Sequence, residues 1–412
     1  MIRLSLAGIV LATFLLQGCS SSSQTVRIPT ELQPIATTQP LSLQWQLSVD
    51  RLAEADGRSL RIAADDAHIY VAASSGLVSA LLKKNQSRYS DQVVWQLKLD
   101  AAVLAGPVIN HNQLLIGTAK GDVISLDAKT GVVNWLTHLN SEIVSKPVIA
   151  QQRVLVRTND GRVVALNLAN GAEVWTADHQ MPNLFLRGAA PVVVDGEQVY
   201  IGRESGYVEA LSLHSGEKLW EARVAIPSGR TDLERMVDVQ ASLVLDSGRL
   251  FVLSYNGRMA AINPANGNFL WTKELSGYRD MVVLDKVIYL MDEDDILRAL
   301  DPTTGTEYWN QQGLKYRMVG DIYIDRLVST EPQLLVTDGL GYLHWIDPKS
   351  GGFNARFKHA DHLDFGRQIL QLRQDQDRYY LLDSDGRVTS YRFQPSAKTT
   401  RPGRSAPLSS HP

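Results

Sequence analysis

Few of the 412 residues have the types and spacing that concentrate chemistry. Cys19 is the single cysteine, so the chain has neither an intrachain disulfide nor a thiolate metal cluster. Four consecutive carboxylates, Asp292-Glu293-Asp294-Asp295, offer the clustered oxygens a hard cation takes. They stand where parallel stretches of the chain carry a polar turn, and a solvated turn is the expectation. His359 and His362, beside Asp361 and Asp364, supply part of a zinc-type ligand set but no further ligand at a fixed spacing; a surface loop is expected there. No glycine-rich phosphate loop, nucleophile elbow or HExxH pair is present. These readings lead to a chain with no catalytic residue, no bound metal and no cofactor. One stretch has the chemistry of recognition instead. Leu184-Phe185-Leu186-Arg187 sets aliphatic, aromatic and guanidinium groups side by side, the types that make protein-binding hot spots.

The setting of Cys19 assigns its thiol a role. Met1-Ile2-Arg3 is a positively charged start, Leu4 to Leu16 is apolar, and Gly18-Cys19 ends the run with small residues, which is the layout of a secretory leader. The apolar run is shorter than the roughly 20 residues a spanning helix needs. Leu16-Gln17-Gly18-Cys19 resembles the lipobox of bacterial lipoproteins, which implies removal of residues 1–18 and acylation of Cys19 as the first mature residue. Ser20, not Asp, follows it, and under that family's sorting rule this implies transfer to the outer membrane, facing the periplasm. Several acyl chains on one residue anchor stably where one chain does not.

Between the leader and the C-terminus, 44% hydrophobic and 21% charged residues allow a large soluble core. The net charge is −3, and it falls to about −7 without Arg3, Lys398, Arg401 and Arg404, so no basic excess exists to bind nucleic acid. Residues 19–40 are rich in Ser, Thr, Gln and Pro and are expected to be a flexible tether; residues 395–412 are expected to be a disordered tail.

Residues 41–394 repeat one unit. Gly121-Asp-Val-Ile-Ser-Leu-Asp127-Ala-Lys-Thr-Gly131-Val-Val-Asn-Trp135 is matched by Gly161 to Trp175, Gly206 to Trp220, Gly257 to Trp271 and Asp295 to Trp309. Gly76 to Trp95 has a longer turn, Gly341 to Gly351 lacks the final Trp, and Gly386 to Tyr391 stops before its turn. The spacing predicts a strand, a turn in which Gly supplies positive φ, and an outer strand carrying Trp toward the next unit. With two short strands upstream, such as those near Val192 and Tyr200, each unit makes a four-stranded propeller blade. Leu43-Gln-Trp45-Gln-Leu47 is an outer strand without a preceding turn, and the last unit lacks one. The fold expected is therefore all-β, an eight-bladed propeller closed by the N-terminal strand, which leaves no open sheet edge.

The unit resembles the repeat of quinoprotein dehydrogenases and their non-catalytic relatives. Repeat and lipobox together resemble the lipoprotein subunit of the outer-membrane β-barrel assembly machinery. The most specific stretches are Met181-Pro-Asn-Leu184-Phe-Leu186-Arg187-Gly188, Arg235-Met-Val-Asp238-Val, Ser254-Tyr-Asn-Gly257 and Gly341 to Asp347. The resemblance implies a scaffold that binds the periplasmic domains of the barrel-inserting subunit, with unfolded outer-membrane proteins as further partners. It implies partner contacts through Leu184, Leu186, Arg187, Arg235 and Asp238; Gln240 departs from an acidic residue of that pattern. Two alternatives stay open. A dehydrogenase of the quinoprotein type needs a vicinal disulfide that a single cysteine cannot form, and a ligand-binding propeller would use its central channel. The leucines of the 184–187 stretch could equally fold inward as a plug.

Overall fold

The computed structural model describes residues 27–35, 39–49, 62–84, 89–182, 184, 185, 190–231, 234–359 and 368–394. Cys19, the leader and residues 395–412 lie outside them, as do Leu186, Arg187, Asp361, His362 and Asp364. The described residues form eight four-stranded antiparallel sheets. Seven are continuous in sequence: blade 1 (63–98), blade 2 (103–138), blade 3 (148–177), blade 4 (193–223), blade 5 (244–274), blade 6 (282–311) and blade 7 (322–358). Blade 8 combines residues 369–393 with the N-terminal strand Leu41–Ser48, which pairs with Arg387–Phe393 from Leu41 opposite Phe393 to Ser48 opposite Arg387. The ring closes as the sequence predicts.

In blade 3 the strands are Val148–Ala150, Arg153–Arg157, Val163–Asn167 and Glu173–Ala177, counted from inside to outside. The middle two are buried on both faces, because a neighbouring blade covers each face, so their sequences run apolar without alternation. Leu155 and Val163 of blade 3 thus pack with Val199 and Ile201 of blade 4.

The regularly spaced Trp and Gly residues lock blade to blade. Each outer-strand Trp indole donates to a carbonyl in the turn before the next blade's outer strand: Trp95 to Ala128, Trp135 to Leu168, Trp175 to Leu213, Trp220 to Pro264, Trp271 to Pro302 and Trp309 to Pro348, at 2.8–3.1 Å. The Gly of that turn lies flat against the same ring. In blade 4, Gly216 has φ +75°, and a Cβ there would stand 2.6 Å from the Trp175 ring. The glycine therefore serves twice, as a left-handed turn residue and as the floor on which the indole rests. Trp45 makes the equivalent bond to Lys83 and joins blade 8 to blade 1.

Strand direction alternates within each sheet. The connections between blades, and the turn between the second and third strands, therefore share one rim, called here the upper rim. The other turns form the lower rim.

Two expectations are corrected by packing between blades. The turn at Asp292-Glu293-Asp294-Asp295 is not simply solvated: Asp292 and Asp295 are buried. The Asp292 carboxylate accepts from the amides of Asp294 and Ile296 and from Arg298. Asp295 stands at the place of the repeat's opening Gly with φ +64°, pairs with Arg279 at 2.8 Å and accepts from the Met318 amide. Arg298 of the strand that follows the turn and Arg279 of the connection before blade 6 occupy the oxygens that looked suited to a cation. His359, expected on a surface loop, is buried against Tyr391 of blade 8, with its Nδ1 3.0 Å from the phenol oxygen.

Candidate partner-binding surface

Two neighbouring connections on the upper rim carry the predicted recognition residues: 178–192 from blade 3 to blade 4, and 224–243 from blade 4 to blade 5. The second is long but pinned. The Val224 amide donates to Gly206 at 2.8 Å, the Val239 amide to Arg203 at 3.1 Å and the Tyr255 amide to Asp238 at 2.8 Å. Asp238 bridges the backbones of Glu204 and Tyr255, and its carboxylate accepts from the Ser205 amide at 3.3 Å. It is 1% exposed, so its place is under the surface, where it ties the loop to the turns of blades 4 and 5. Farther along, the Glu234 carboxylate accepts from the Arg230 and Thr231 amides at 2.7 and 3.2 Å, a local cap that shapes the loop tip.

Among the residues the loops expose are two large aliphatics and an arginine beside buried apolar ones. Leu184 is 45% exposed, Ile226 is 65% exposed, and Arg235 is exposed beside the buried Met236 and Val237. A groove of about 250 Å³ runs between the two connections, lined by Pro182, Leu184, Pro227, Arg235, Met236 and Val237 and by Ser205 of the blade 4 turn. Leu184, Arg235 and Asp238 thus come together at one place, with two residues at the groove and one beneath it.

Below the groove lies a buried ionic base that sequence reading did not find. Arg157 of blade 3 pairs with Glu204 of blade 4 at 2.9 Å and donates to the Ala190 carbonyl, where the first connection re-enters the fold. Arg203 pairs with Glu209 at 2.9 Å and donates to the Gly161 carbonyl, while His179 lies 3.2 Å from Glu209. Burial pulls the Arg157 guanidinium below its ordinary value. Burial would raise the Glu209 carboxyl, but the His179 hydrogen bond and the Arg203 charge outweigh it and hold that carboxyl down to about 2. These groups fasten blade 3 to blade 4 directly under both loops. A signal was available: the position at the end of the second strand is Thr118, Thr158, Ser254, Asp292, Asp338 and Asp383 in other blades, and Arg203 alone among these breaks that small or acidic pattern.

The family model described as outer membrane protein assembly factor BamB matches residues 75–311. This chain belongs to the BamB family. Relatives carrying that name include one from Escherichia coli K12, 32% identical over 86% of this chain and 91% of its own length. Another, from Pseudomonas aeruginosa PAO1, is 36% identical over 82% of this chain and 87% of its own. The crystal structure of BamB from Moraxella catarrhalis superposes with a TM-score of 0.72 at 25% identity, covering 86% of this chain and all of that one. A quinohemoprotein alcohol dehydrogenase from Pseudomonas putida HK5 shares the fold, with a TM-score of 0.65 at 14% identity over 90% of this chain and 78% of its own. The dehydrogenase likeness is one of architecture, whereas the likeness to the assembly factors extends to sequence along most of the propeller.

Proposed function

We propose that the chain is a non-enzymatic scaffold subunit of the outer-membrane protein assembly complex. In this reading acylated Cys19 anchors it to the outer membrane on the periplasmic side, and the upper-rim groove binds the periplasmic domains of the barrel-inserting subunit. Unfolded outer-membrane proteins are a second class of partner. The observation that carries the reading is the groove itself. Leu184 and Arg235 are exposed at this groove, and Asp238 and the Arg157–Glu204 pair tie described residues of the two connections to the blades beneath. Leu186 and Arg187 are assigned to the same partner contact, and Asp238 is a positioning residue that acts through the loop. Non-catalytic action is supported by the relatives' names and by the single cysteine, which denies the chain the vicinal disulfide of the quinoprotein enzymes.

Affinity isolation of the tagged chain from detergent-solubilised envelopes tests the reading. The expected result is recovery of the barrel-inserting subunit in near-stoichiometric amount, diminished by Leu184→Ala. Recovery of the chain alone, from wild-type envelopes, would overturn it. The anchor is tested separately by incorporation of radioactive fatty acid, which Cys19→Ser should abolish.

A further inference from the structure

We propose that residues 27–35 form a strap clasped on blade 7 by Arg317 and Arg356, and that this strap brings the N-terminus out at the upper rim. The proposal about the membrane rests on acylation of Cys19 as read above; the strap itself does not.

The segment has the composition of a linker, yet it is held by paired donors and acceptors. The Thr30 amide donates to the Lys315 carbonyl at 3.0 Å, and the Thr30 carbonyl accepts from Arg317 Nη1 at 2.9 Å. Three residues on, the Gln33 carbonyl accepts from Arg356 Nη1 at 3.0 Å. Arg27 lies 5.5 Å over the Tyr316 ring and 3.7 Å from Asp294. Below, the Gln39 amide reaches the Arg356 carbonyl at 3.4 Å, just before the closing strand starts at Leu41.

The two arginines are aimed in advance. Asp338, fully buried, takes Arg317 through Nε at 2.8 Å and Nη2 at 2.7 Å. Asp338 also lies 3.0 Å from His344 Nε2, while His344 Nδ1 accepts from Arg356 Nε at 3.2 Å. An imidazole accepting at Nδ1 carries its proton at Nε2, so His344 is neutral here, in keeping with burial that lowers its pKa. The chain Arg317–Asp338–His344–Arg356 fixes both guanidinium planes and leaves one Nη1 of each for a strap carbonyl. Hydrogen bonds from a charged donor are the stronger kind.

The consequence is one of reach. Arg27, Tyr316 and Asp294 belong to the upper rim, whereas Leu41 begins on the lower rim. With the strap docked, seven residues separate Cys19 from Arg27, an extended span of about 28 Å from Cα to Cα. With it undocked, nineteen residues separate Cys19 from Gln39, about 70 Å from Cα to Cα, and the tether starts from the opposite rim. The clasp therefore favours the upper rim, which carries the partner groove, as the one nearer the lipid, because a flexible tether of this length averages only about 16 Å.

Two measurements test this on the wild type and on the Thr30→Pro/Arg356→Ala variant, which removes the Thr30 amide and the half-buried arginine while leaving the buried Arg317–Asp338 pair intact. The first is the rate of cleavage at Glu31 by a glutamyl endopeptidase. The variant should be cut at least about tenfold faster, the equivalent of about 1.4 kcal/mol of lost docking, at a temperature where circular dichroism shows both proteins folded. Equal rates in the two proteins would overturn the strap. The second uses the acylated chain in phosphatidylcholine–phosphatidylglycerol vesicles containing a headgroup quencher, with a fluorophore on Met318→Cys of the upper rim or Lys349→Cys of the lower rim. Quenching at position 318 should exceed that at 349 by at least about twofold, since rims joined by strands of five or six residues stand roughly 17–20 Å apart, and the difference should vanish in the variant. Equal quenching in the wild type would overturn the rim assignment. Failure of the wild type to float with vesicles would sink the anchor reading and the rim assignment with it, while the cleavage rates would still decide the strap.

Discussion

At six of the eight blade boundaries a tryptophan and a glycine act as a pair, since the indole donates to the neighbouring turn and the glycine leaves room for its ring. Gly216→Ala should cost more than Gly196→Ala, because Gly196 also has positive φ, +54°, but no atom within 4 Å of where a Cβ would stand. Left-handed strain alone is worth about 1–2 kcal/mol, so Gly196→Ala should fall in that range and Gly216→Ala should exceed it by at least about 1 kcal/mol of overpacking. Chemical denaturation of the two variants checks this; equal losses would mean that the ring does not rest on Gly216. The buried ionic base makes a second prediction, also read from chemical denaturation. Glu204→Gln strips Arg157 of its countercharge, and breaking one partner of a buried pair costs about 3–5 kcal/mol. Acid adds a third. Glu209 is held at about 2 against an ordinary 4.5, so its contribution is complete above about pH 4.5 and is lost as pH falls through about 2. Between those limits the wild type should lose stability relative to Glu209→Gln, as read from melting temperatures across the range; a constant difference would exclude this carboxylate as a source of acid sensitivity.

The strands and turns of the blades were legible in the sequence because each unit carries its own reasons. Asp127 accepts from the Lys129 and Thr130 amides and Gly131 takes positive φ, so Asp-x-x-Thr-Gly writes its turn locally. The missing Trp of blade 7 was visible but unexplained. Blade 8 has no turn before its outer strand, since Leu41–Ser48 arrives from the other end of the chain, and so it offers no turn carbonyl to receive an indole. Ala355 occupies that place, and Trp345 inside the blade donates to Asp325 instead. What stayed hidden depended on residues far apart: Asp295 is buried because Arg279 and the Met318 amide reach it, and Arg157 is tolerated because Glu204 of the next blade meets it. For the closing strand, deleting residues 41–49 should cost about 4 kcal/mol, from Trp45 and Leu47 at about 2 kcal/mol each, while deleting 395–412 should leave the melting temperature unchanged. Equal effects would mean that the ring closes by another route.

Taken as a whole, the molecule sets its features by rim. The connections of the upper rim hold the groove, the ionic base sits beneath them, and the strap emerges on the same side. The residue types near Leu184 were legible as those of a recognition surface, but the exposure of Leu184 was not, since that depends on the 224–243 connection that lines the groove with it. Leu184 is exposed at the groove and Asp238 is beneath it, a division of roles that residue types alone do not reveal. The most direct test of the scaffold reading is titration of purified Leu184→Ala and Arg235→Ala with the periplasmic domains of the barrel-inserting subunit, alongside their melting curves. Truncating such anchors is expected to weaken binding by about 2 kcal/mol each, roughly thirtyfold, with folding stability changed by no more than about 0.5 kcal/mol. Unchanged affinity in both variants, with a large fall in the melting temperature of Leu184→Ala, would contradict the account and leave the loop as a structural plug.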